Sequence, residues 1–476
     1  MTENKIDIQR INKLQHSDFS LAETKKEVFE IIEMLCAIII EQSKTIQELK
    51  DEINRLKGEK GKPKFKPSIK IPEADKQRKQ METGKKKEWV KGSKNEKVKP
   101  DRTVTIVLDK TGLPDDIVFK GYEERIVQNI IVKTDNVLYR LEKYYSASQN
   151  KTYTAEVDEC LKGTEFGPDA KALISSMYYE NRVTENKIAG FLNANGLHIS
   201  EGTISNILIK EQSEELTRIK DEIFEAGLAS GTYQQIDDTG IRVAGENSYA
   251  TIVCNENYSA FFINKSKSRE TVKTFLTSML LSLFIVLVGD DAPQFKKLAQ
   301  RFALCWVHEE RHYKKLVPVL ECNKKEVERV RGEIWEYYKK LKDYKCSPTE
   351  QKKNELWEEF DALFGQETIY DELNKRLALT REKKTELLTV LDYPEVPLHN
   401  NLSEIGIREL VIKRKISGGV ETDEGLKAWE NNMSILATCK KLGISFFEVM
   451  KSVYSKKETT NFRDLILNRK ICATGY

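Results

Sequence analysis

The chain has 476 residues, of which 39% are hydrophobic and 32% are charged, and its net charge is +3. At roughly 150 residues per domain, this length predicts about three domains, and the hydrophobic fraction is enough to give each an ordinary core. The near-neutral charge points to no particular partner, while the eight cysteines form no C-x-x-C pair and so indicate neither a zinc ribbon nor a thioredoxin motif.

Residues 1–57 are predicted to form an N-terminal helix and a coiled coil that pairs two copies of the chain. The first thirty or so residues are polar, so we expect no signal peptide. The longest apolar runs are about half the length that a bilayer requires, or less. We therefore expect a cytoplasmic protein with no membrane partner.

The coiled-coil prediction rests on apolar residues that recur in alternating steps of four and three. They stand at Val28, Ile32, Leu35, Ile39, Ile46, Leu49, Ile53 and Leu56. Isoleucine at a with mostly leucine at d favours a parallel two-stranded coil, and Gln42 would be the polar seam residue that sets its register. A single amphipathic helix packed on its own chain is the alternative.

Residues 58–102 are predicted to be a basic linker. From Lys57 to Arg102 there are 17 Lys and Arg residues against 7 acidic ones, and several prolines interrupt any helix. Such a block on a near-neutral chain suits a polyanion partner. It is equally typical of a solvated linker, and both can hold together.

Residues 103–160 are predicted to be a small β-rich module of unassigned role. The stretches TVTIVLD, ERIVQNIIVK and VLYRLEKYY are rich in β-branched and aromatic residues, as strands are.

Residues 161–228 are predicted to be a helical DNA-binding domain, with a helix-turn-helix from Thr184 to Lys210. Asn195-Gly196 would make the turn and Ser200 would cap the second helix. Many helical hairpins share this pattern. The second helix would present short polar and basic side chains to a DNA groove, namely Thr203, Ser205, Asn206 and Lys210.

Residues 229–320 and 393–450 are predicted to form one α/β domain, with a helical insertion at 321–392 and a tail at 451–476. TYQQID, IRVAG, SYATIVC and SAFFINK read as strands, and LFIVLVGDD reads as a buried strand. SRETVKTFLTSML is predicted to be a helix, and PQFKKLAQRF opens a second one with proline at its start.

Acidic residues mark a candidate catalytic site. Asp237-Asp238 and Asp290-Asp291 each end a strand that is expected to be buried, and Glu404 lies early in a later helix. Strand ends are where ligands commonly bind in open α/β sheets. Clustered carboxylates repel one another, but they suit Mg²⁺, and two such ions stabilise both oxygens of an in-line phosphoryl displacement.

Four sequence blocks resemble the insertion-sequence-66 family of DDE transposases: QIDDTGIRV, VGDDAPQF, LCWVHEERHYKKL and HNNLSEIGIREL. The resemblance implies catalytic, metal-binding roles for Asp237, Asp290 and Glu404, with Asp238 and Asp291 as alternative ligands. It also implies a ribonuclease H-like core, a mixed sheet flanked by helices. Two Mg²⁺ (or Mn²⁺) ions would be bound, with Asp237 bridging both.

The implied reaction is cleavage at transposon ends followed by attack of a 3′-hydroxyl on target DNA. The partners would be double-stranded DNA, a second copy of the chain and small accessory proteins, and the enzyme would associate with the nucleoid. The family often carries a cysteine-rich zinc segment before the helix-turn-helix, but residues 103–157 contain no cysteine. We expect no zinc there.

Two further groups of residues are predicted to lie near the site. Cys305, Trp306, His308 and His312 form a C-W-x-H-x-x-x-H pattern that indicates a structural or DNA-contacting role, or metal ligation. Basic residues follow the third acid on its helix and could contact phosphates, at Arg408, Lys413, Arg414 and Lys415. A solvated helix end is their alternative reading.

Three alternatives to a transposase remain. A DNA-binding regulator could keep the fold and lack cleavage, a dimeric scaffold could use its acids only as helix caps, and a metal-dependent nuclease could cut without joining strands. The intact set of three carboxylates argues against the regulator, and the scaffold predicts no preference for any DNA.

Overall fold

The computed structural model describes residues 99–280, 286–457 and 460–469, apart from 110, 112–113 and 115–117, together with isolated positions between 32 and 49. Those isolated positions are helical. The heptad residues Val28, Ile46, Ile53 and Leu56 lie outside the described residues, as does the basic linker up to residue 98. The chain divides into two compact units, residues 1–41 with 135–476, and residues 42–134.

The segment predicted as a β-rich module differs from the expectation. Its described residues contain one antiparallel hairpin, β1 (Lys143–Ser146) with β2 (Lys151–Thr154). TVTIVLD and ERIVQNIIVK form no strand, and their apolar side chains are exposed, up to 88% at Ile106. Strand propensity largely reflects packing against neighbours. Residues without such neighbours therefore form no strand, even where their composition favours one.

Four helices follow: α1 (Pro168–Ser175), α2 (Glu185–Ala194), α3 (Glu201–Ile209) and α4 (Ser213–Ala229). The α2 residues predicted to face inward, such as Ile188 and Leu192, are buried. The Ser200 hydroxyl accepts the Thr203 amide at 3.1 Å and so satisfies a free N–H at the start of α3.

A five-stranded mixed sheet follows in the order β5-β4-β3-β6-β7. Its strands are β3 (Tyr233–Val243), β4 (Glu246–Cys254), β5 (Ser259–Asn264), β6 (Val286–Gly289) and β7 (Arg301–Leu304). β3, β4 and β5 pair antiparallel, whereas β6 and β7 run parallel to β3. The expected mixed α/β architecture is therefore confirmed. TYQQID and IRVAG are one strand rather than two, because β4 pairs with β3 along its whole length.

The helix expected from Pro293 is wrong. α5 (Arg269–Leu280) precedes β6 as predicted, but residues 293–300 form successive turns that lead into β7. Lys297 has a left-handed backbone with φ 61°, which no α-helix accommodates. Phe295 and Leu298 are buried, so packing of these side chains outweighs the helical pattern.

The remaining helices complete the fold. α6 (Trp306–Lys314) leads into the helical segment of α7 (Glu321–Cys346), α8 (Glu350–Phe364), α9 (Asp371–Arg381), α10 (Lys384–Leu387) and α11 (Thr389–Asp392), which has its own apolar core. The last four are α12 (Asn401–Ser417), α13 (Asp423–Leu442), α14 (Phe446–Tyr454) and α15 (Phe462–Leu467).

α12 and α13 pack on the sheet, and one apolar core joins the sheet to the helices of residues 168–229. The stretch predicted as a C-terminal tail contains α15, which packs on α4. Among the described helices, none is long and apolar enough to cross a membrane.

Candidate functional site

Asp237 and Asp290 lie at one edge of the sheet. β6 pairs with β3 only along residues 233–235, whereas β4 stays paired with β3 beyond the acids. Asp237 therefore lies within β3 where its β6 neighbour has ended, and not at the end of β3 as expected. Asp290 directly follows β6, so the backbone places it beside this open edge.

The start of α12 brings Glu404 to the same edge. Glu404 lies in the first turn of the helix. The side-chain amide of Asn400 donates to the Ile236 carbonyl at 2.8 Å, and the backbone carbonyl of Asn400 accepts the backbone amide of Glu404 at 3.2 Å. Asn400 is buried, and it links the strand that carries the first acid to the helix that carries the third.

Gln235 identifies the face of β3 that meets α12. Its side-chain oxygen accepts the amides of Leu402 and Ser403 at 3.0 and 3.4 Å. Alternate residues of a strand share a face. Asp237 therefore faces α12 like Gln235, while Asp238 faces the other way.

The causes of the pKa shifts also distinguish Asp237 from Asp238. Burial raises the pKa of Asp237 to about 7, with further contributions from the charges of Asp290, Asp238 and Glu404. Burial also raises the pKa of Asp238, but hydrogen bonding to Gln294 and the charge of Lys267 oppose it. The Gln294 amide donates to Asp238 at 2.6 Å. The carboxylate that interacts with both other acids is Asp237.

Asp290 and Asp291 have different surroundings. The Asp290 carboxylate accepts the Ala292 amide at 3.2 Å and acts electrostatically on Asp237. Asp291 is instead paired with Lys296 at 2.8 Å and with Lys383 at 2.5 Å. Both oxygens of Asp291 thus have cationic partners.

His308, Arg311 and Glu404 form a polar cluster on the other side of the third acid. Arg311 donates to Nε2 of His308 at 2.9 Å and lies 3.4 Å from Glu404. An arginine can only donate, so Nε2 accepts and the ring proton of a neutral His308 is on Nδ1. Nδ1 lies 3.6 Å from Glu404 Oε1. Burial lowers the pKa of His308, against the charge of Glu404.

Cys305, His308 and Glu404 place three potential ligand atoms within 4.8 Å of one another. The Cys305 sulfur accepts the Asn400 amide at 3.3 Å, and burial raises the pKa of its thiol to about 11. A protonated thiol is a poor metal ligand. This grouping therefore serves to orient Glu404 better than to hold a metal.

Trp306 and His312 belong to the junction with the helical insertion. The Trp306 side chain is buried in the apolar core of the insertion, and its Nε1 donates to the Leu387 carbonyl at 2.8 Å. That makes Trp306 structural. His312 lies near Glu309 and Arg376, whose charges act on it, and burial lowers its pKa.

The four basic residues of α12 are not equivalent. Arg408 and Lys415 are exposed, while Arg414 donates to the Gly240 carbonyl. Lys413 is 1% exposed, and its amine donates to the Tyr178 carbonyl at 2.6 Å. The expectation that Lys413 contacts DNA is wrong, because its helix position faces the core.

On α3, Asn206 and Lys210 are exposed and Thr203 and Ser205 are partly exposed. The Thr203 hydroxyl is 2.9 Å from that of Ser200, and Ser205 hydrogen-bonds to Glu185. These contacts leave Asn206 and Lys210 as the side chains of this set most open to a partner.

Three residues that contact the acidic residues or the start of α12 were missed in the sequence: Gln235, Arg311 and Lys383. Gln235 carried a usable signal, because a polar side chain in a strand that is expected to be buried must find a buried partner. Arg311 also carried one, since it is three residues beyond His308 and shares its helix face. Lys383 carried no such signal, because it resembles many other lysines in the sequence.

Comparisons with known proteins identify the family of the chain. The Transposase IS66 family matches residues 163–428, more than half of the chain, and the matched range contains all three acids. The chain belongs to this family. The resemblance seen in the sequence blocks is confirmed.

An uncharacterized protein of Sinorhizobium fredii (strain NBRC 101917 / NGR234), y4jO, is 41% identical over 165 residues. The aligned part covers 35% of this chain and 51% of that protein. The chain thus spans about half the length of this relative.

Proposed function

We propose that this chain is a DDE-type transposase that cleaves DNA at transposon ends and joins the 3′-hydroxyl to target DNA. The observation that carries the proposal is the meeting of Asp237, Asp290 and Glu404, from a strand, a loop and a helix, at one open sheet edge. The sheet order, with three antiparallel strands followed by two parallel ones, supports a ribonuclease H-like core.

The donor set fits divalent cations such as Mg²⁺ or Mn²⁺. Oε1 of Glu404 is buried and accepts no hydrogen bond, and the pKa of Asp237 is raised by burial and, in addition, by the charges of Asp290 and Glu404. Oxygen donors that repel one another are stabilised when a hard cation lies between them. Bound cations would stabilise the attacking and leaving oxygens of an in-line phosphoryl transfer.

The protein's own residues prepare this site in distinct ways. Asp237, Asp290 and Glu404 would hold the cations. Asn400 and Gln235 fasten the start of α12 to β3. Arg311, beside Glu404, keeps its carboxylate in place and offers positive charge close to the phosphate path, and His308 accepts a hydrogen bond from Arg311.

DNA contacts are proposed for exposed residues outside the acidic site. Asn206 and Lys210 on α3 would enter a groove as part of a helix-turn-helix, and Arg408 and Lys415 on α12 would contact phosphates. The basic linker would add sequence-independent affinity.

Pairing of two copies through the N-terminal coiled coil would let one assembly hold two transposon ends. The described seam residues Ile32, Leu35, Ile39 and Leu49 are helical and between 38% and 61% exposed in the single chain. Apolar seam residues left in solvent favour a partner helix.

The test compares Asp237→Asn, Asp290→Asn and Glu404→Gln with the wild type, using duplex DNA that carries the ends of its own element. We expect each variant to lose Mn²⁺-dependent nicking while DNA binding changes little. Asp238→Asn is the matched control, because it removes an adjacent carboxylate that faces away from α12. We expect a smaller loss in that variant.

Calorimetric titration of Mn²⁺ with this DNA present separates the alternatives. Weaker binding in Glu404→Gln than in the wild type would support a shared metal site. Nicking without joined products would indicate a nuclease, and DNA binding without any nicking would indicate a regulator. A protein without preference for any DNA would indicate a scaffold.

A further inference from the structure

The loop that carries Asp290 is fastened to the helical insertion through its neighbour Asp291. The two Asp291 oxygens lie 2.8 Å from Lys296 and 2.5 Å from Lys383. Each oxygen of the Asp291 carboxylate is therefore paired with a lysine.

Lys383 also reaches a second buried acid. Its amine lies 3.4 Å from Glu309 of α6, which is 4% exposed. Glu309 accepts the Thr380 hydroxyl at 2.6 Å and pairs with Arg376. Lys383, at the N-cap of α10, thus joins the loop after β6, the helix after β7 and the insertion. Removing one member of a buried ion pair leaves an uncompensated charge.

The loop itself has little regular structure to hold it. Residues 293–300 form turns, with Lys297 in a left-handed conformation. The direction of the Asp290 side chain depends on its backbone, which is shared with Asp291. A tether at Asp291 therefore restricts where Asp290 can point.

We propose that Lys383 is a positioning residue for Asp290, through which the insertion holds the second carboxylate in its metal-binding position. The inference rests on the proposed function, since it takes Asp290 as a ligand. It assigns Asp291 the role of an anchor and not that of an alternative ligand. It also gives the insertion a part in assembling the site.

The test is calorimetric titration of Mn²⁺ into the full-length protein and its variants without DNA. Lys383→Met should weaken Mn²⁺ binding by about 10–100-fold, which is the loss that typically follows removal of a residue that orients a metal ligand. Lys383→Arg, which can still reach both acids, should recover most of the affinity. A merely structural contribution to stability would not change metal affinity in the folded protein.

Lys384→Met is the matched control. Lys384 is also little exposed, and its amine pairs with Asp361 at 2.7 Å within the insertion. This variant loses a comparable ion pair but keeps the tether, so its Mn²⁺ affinity should equal that of the wild type. Equal weakening in Lys383→Met and Lys384→Met would overturn the positioning role in favour of a general loosening of the insertion.

Asp290→Asn distinguishes failure of this inference from failure of the proposed function. If Asp290→Asn loses Mn²⁺ affinity and Lys383→Met does not, the positioning role is overturned while the proposed site stands. If Asp290→Asn binds Mn²⁺ like the wild type, Asp290 is not a ligand, and both the site assignment and the role of Lys383 fail.

Discussion

Lys413 is a buried lysine in α12, and replacing it should change how the stability of the protein depends on pH. It is 1% exposed, donates to the Tyr178 carbonyl at 2.6 Å and lies 3.1 Å from the centre of the Tyr178 ring. Burial lowers its pKa from 10.5 to about 7, against the charge of Glu185. A neutral amine can still donate its hydrogen bond.

The direction and size of the effect follow from proton linkage. Between the folded pKa of about 7 and the ordinary value of 10.5, the unfolded chain binds a proton that the folded chain does not. The free energy of unfolding therefore rises with pH in this window, and this contribution is lost as pH falls through about 7. The slope is at most about 1.4 kcal/mol per pH unit, or about 2 kcal/mol from pH 7.5 to 9.

The attraction between an ammonium group and the Tyr178 ring favours the protonated form of Lys413, so the gain of about 2 kcal/mol is an upper limit. Lys413→Met keeps the apolar stem and removes the titration. Relative to this variant, the wild type should gain up to about 2 kcal/mol over the same pH interval. Urea denaturation at both pH values measures it.

Lys415→Met is the control, because Lys415 is exposed on the same helix. It should leave the pH dependence unchanged. The reasoning is refuted if the wild type and Lys413→Met gain the same free energy of unfolding between pH 7.5 and 9, since Lys413 would then have an ordinary pKa in the folded protein.

Two further predictions concern how α12 meets the sheet. Asn400→Ala removes the buried hydrogen bond to the Ile236 carbonyl and should lower the free energy of unfolding by about 1–3 kcal/mol. Urea denaturation measures this change, and an unchanged midpoint would contradict the prediction. A Cβ at Gly406 would lie 2.3 Å from Ile252 Cδ1, so Gly406→Val should cost about 1–3 kcal/mol by the same assay, whereas Gly406→Ala should cost less because the tip of Ile252 can move.

Much of the local structure could be predicted because it depends on neighbouring residues. Ser200 caps α3 through its own hydroxyl, and the spacing of Ile188 and Leu192 places both on one helix face. The apolar run that ends at Gly289 was predicted to be a buried strand, and its described residues Val286–Gly289 form β6. The acids were predicted because four short sequence blocks, taken together, resemble the family.

Other features depend on contacts that are remote in the chain, and these were missed. The stretch after Pro293 has a helical pattern, but burial of Phe295 and Leu298 turns it into a loop. TVTIVLD has the composition of a strand, yet no strand pairs with it among the described residues. Local propensity is weak compared with the free energy of burial.

The sequence by itself determined the family, the order of the acids and most helices, because residue spacing and short motifs are enough to identify them. Only the tertiary structure decided which residue of each acidic pair faces its neighbours, since that depends on the face of β3 that meets α12. It likewise decided that Lys413 is buried and that Lys383 reaches Asp291. A lysine looks alike in a sequence whether water or a protein core surrounds it, because its environment is supplied by residues far away in the chain.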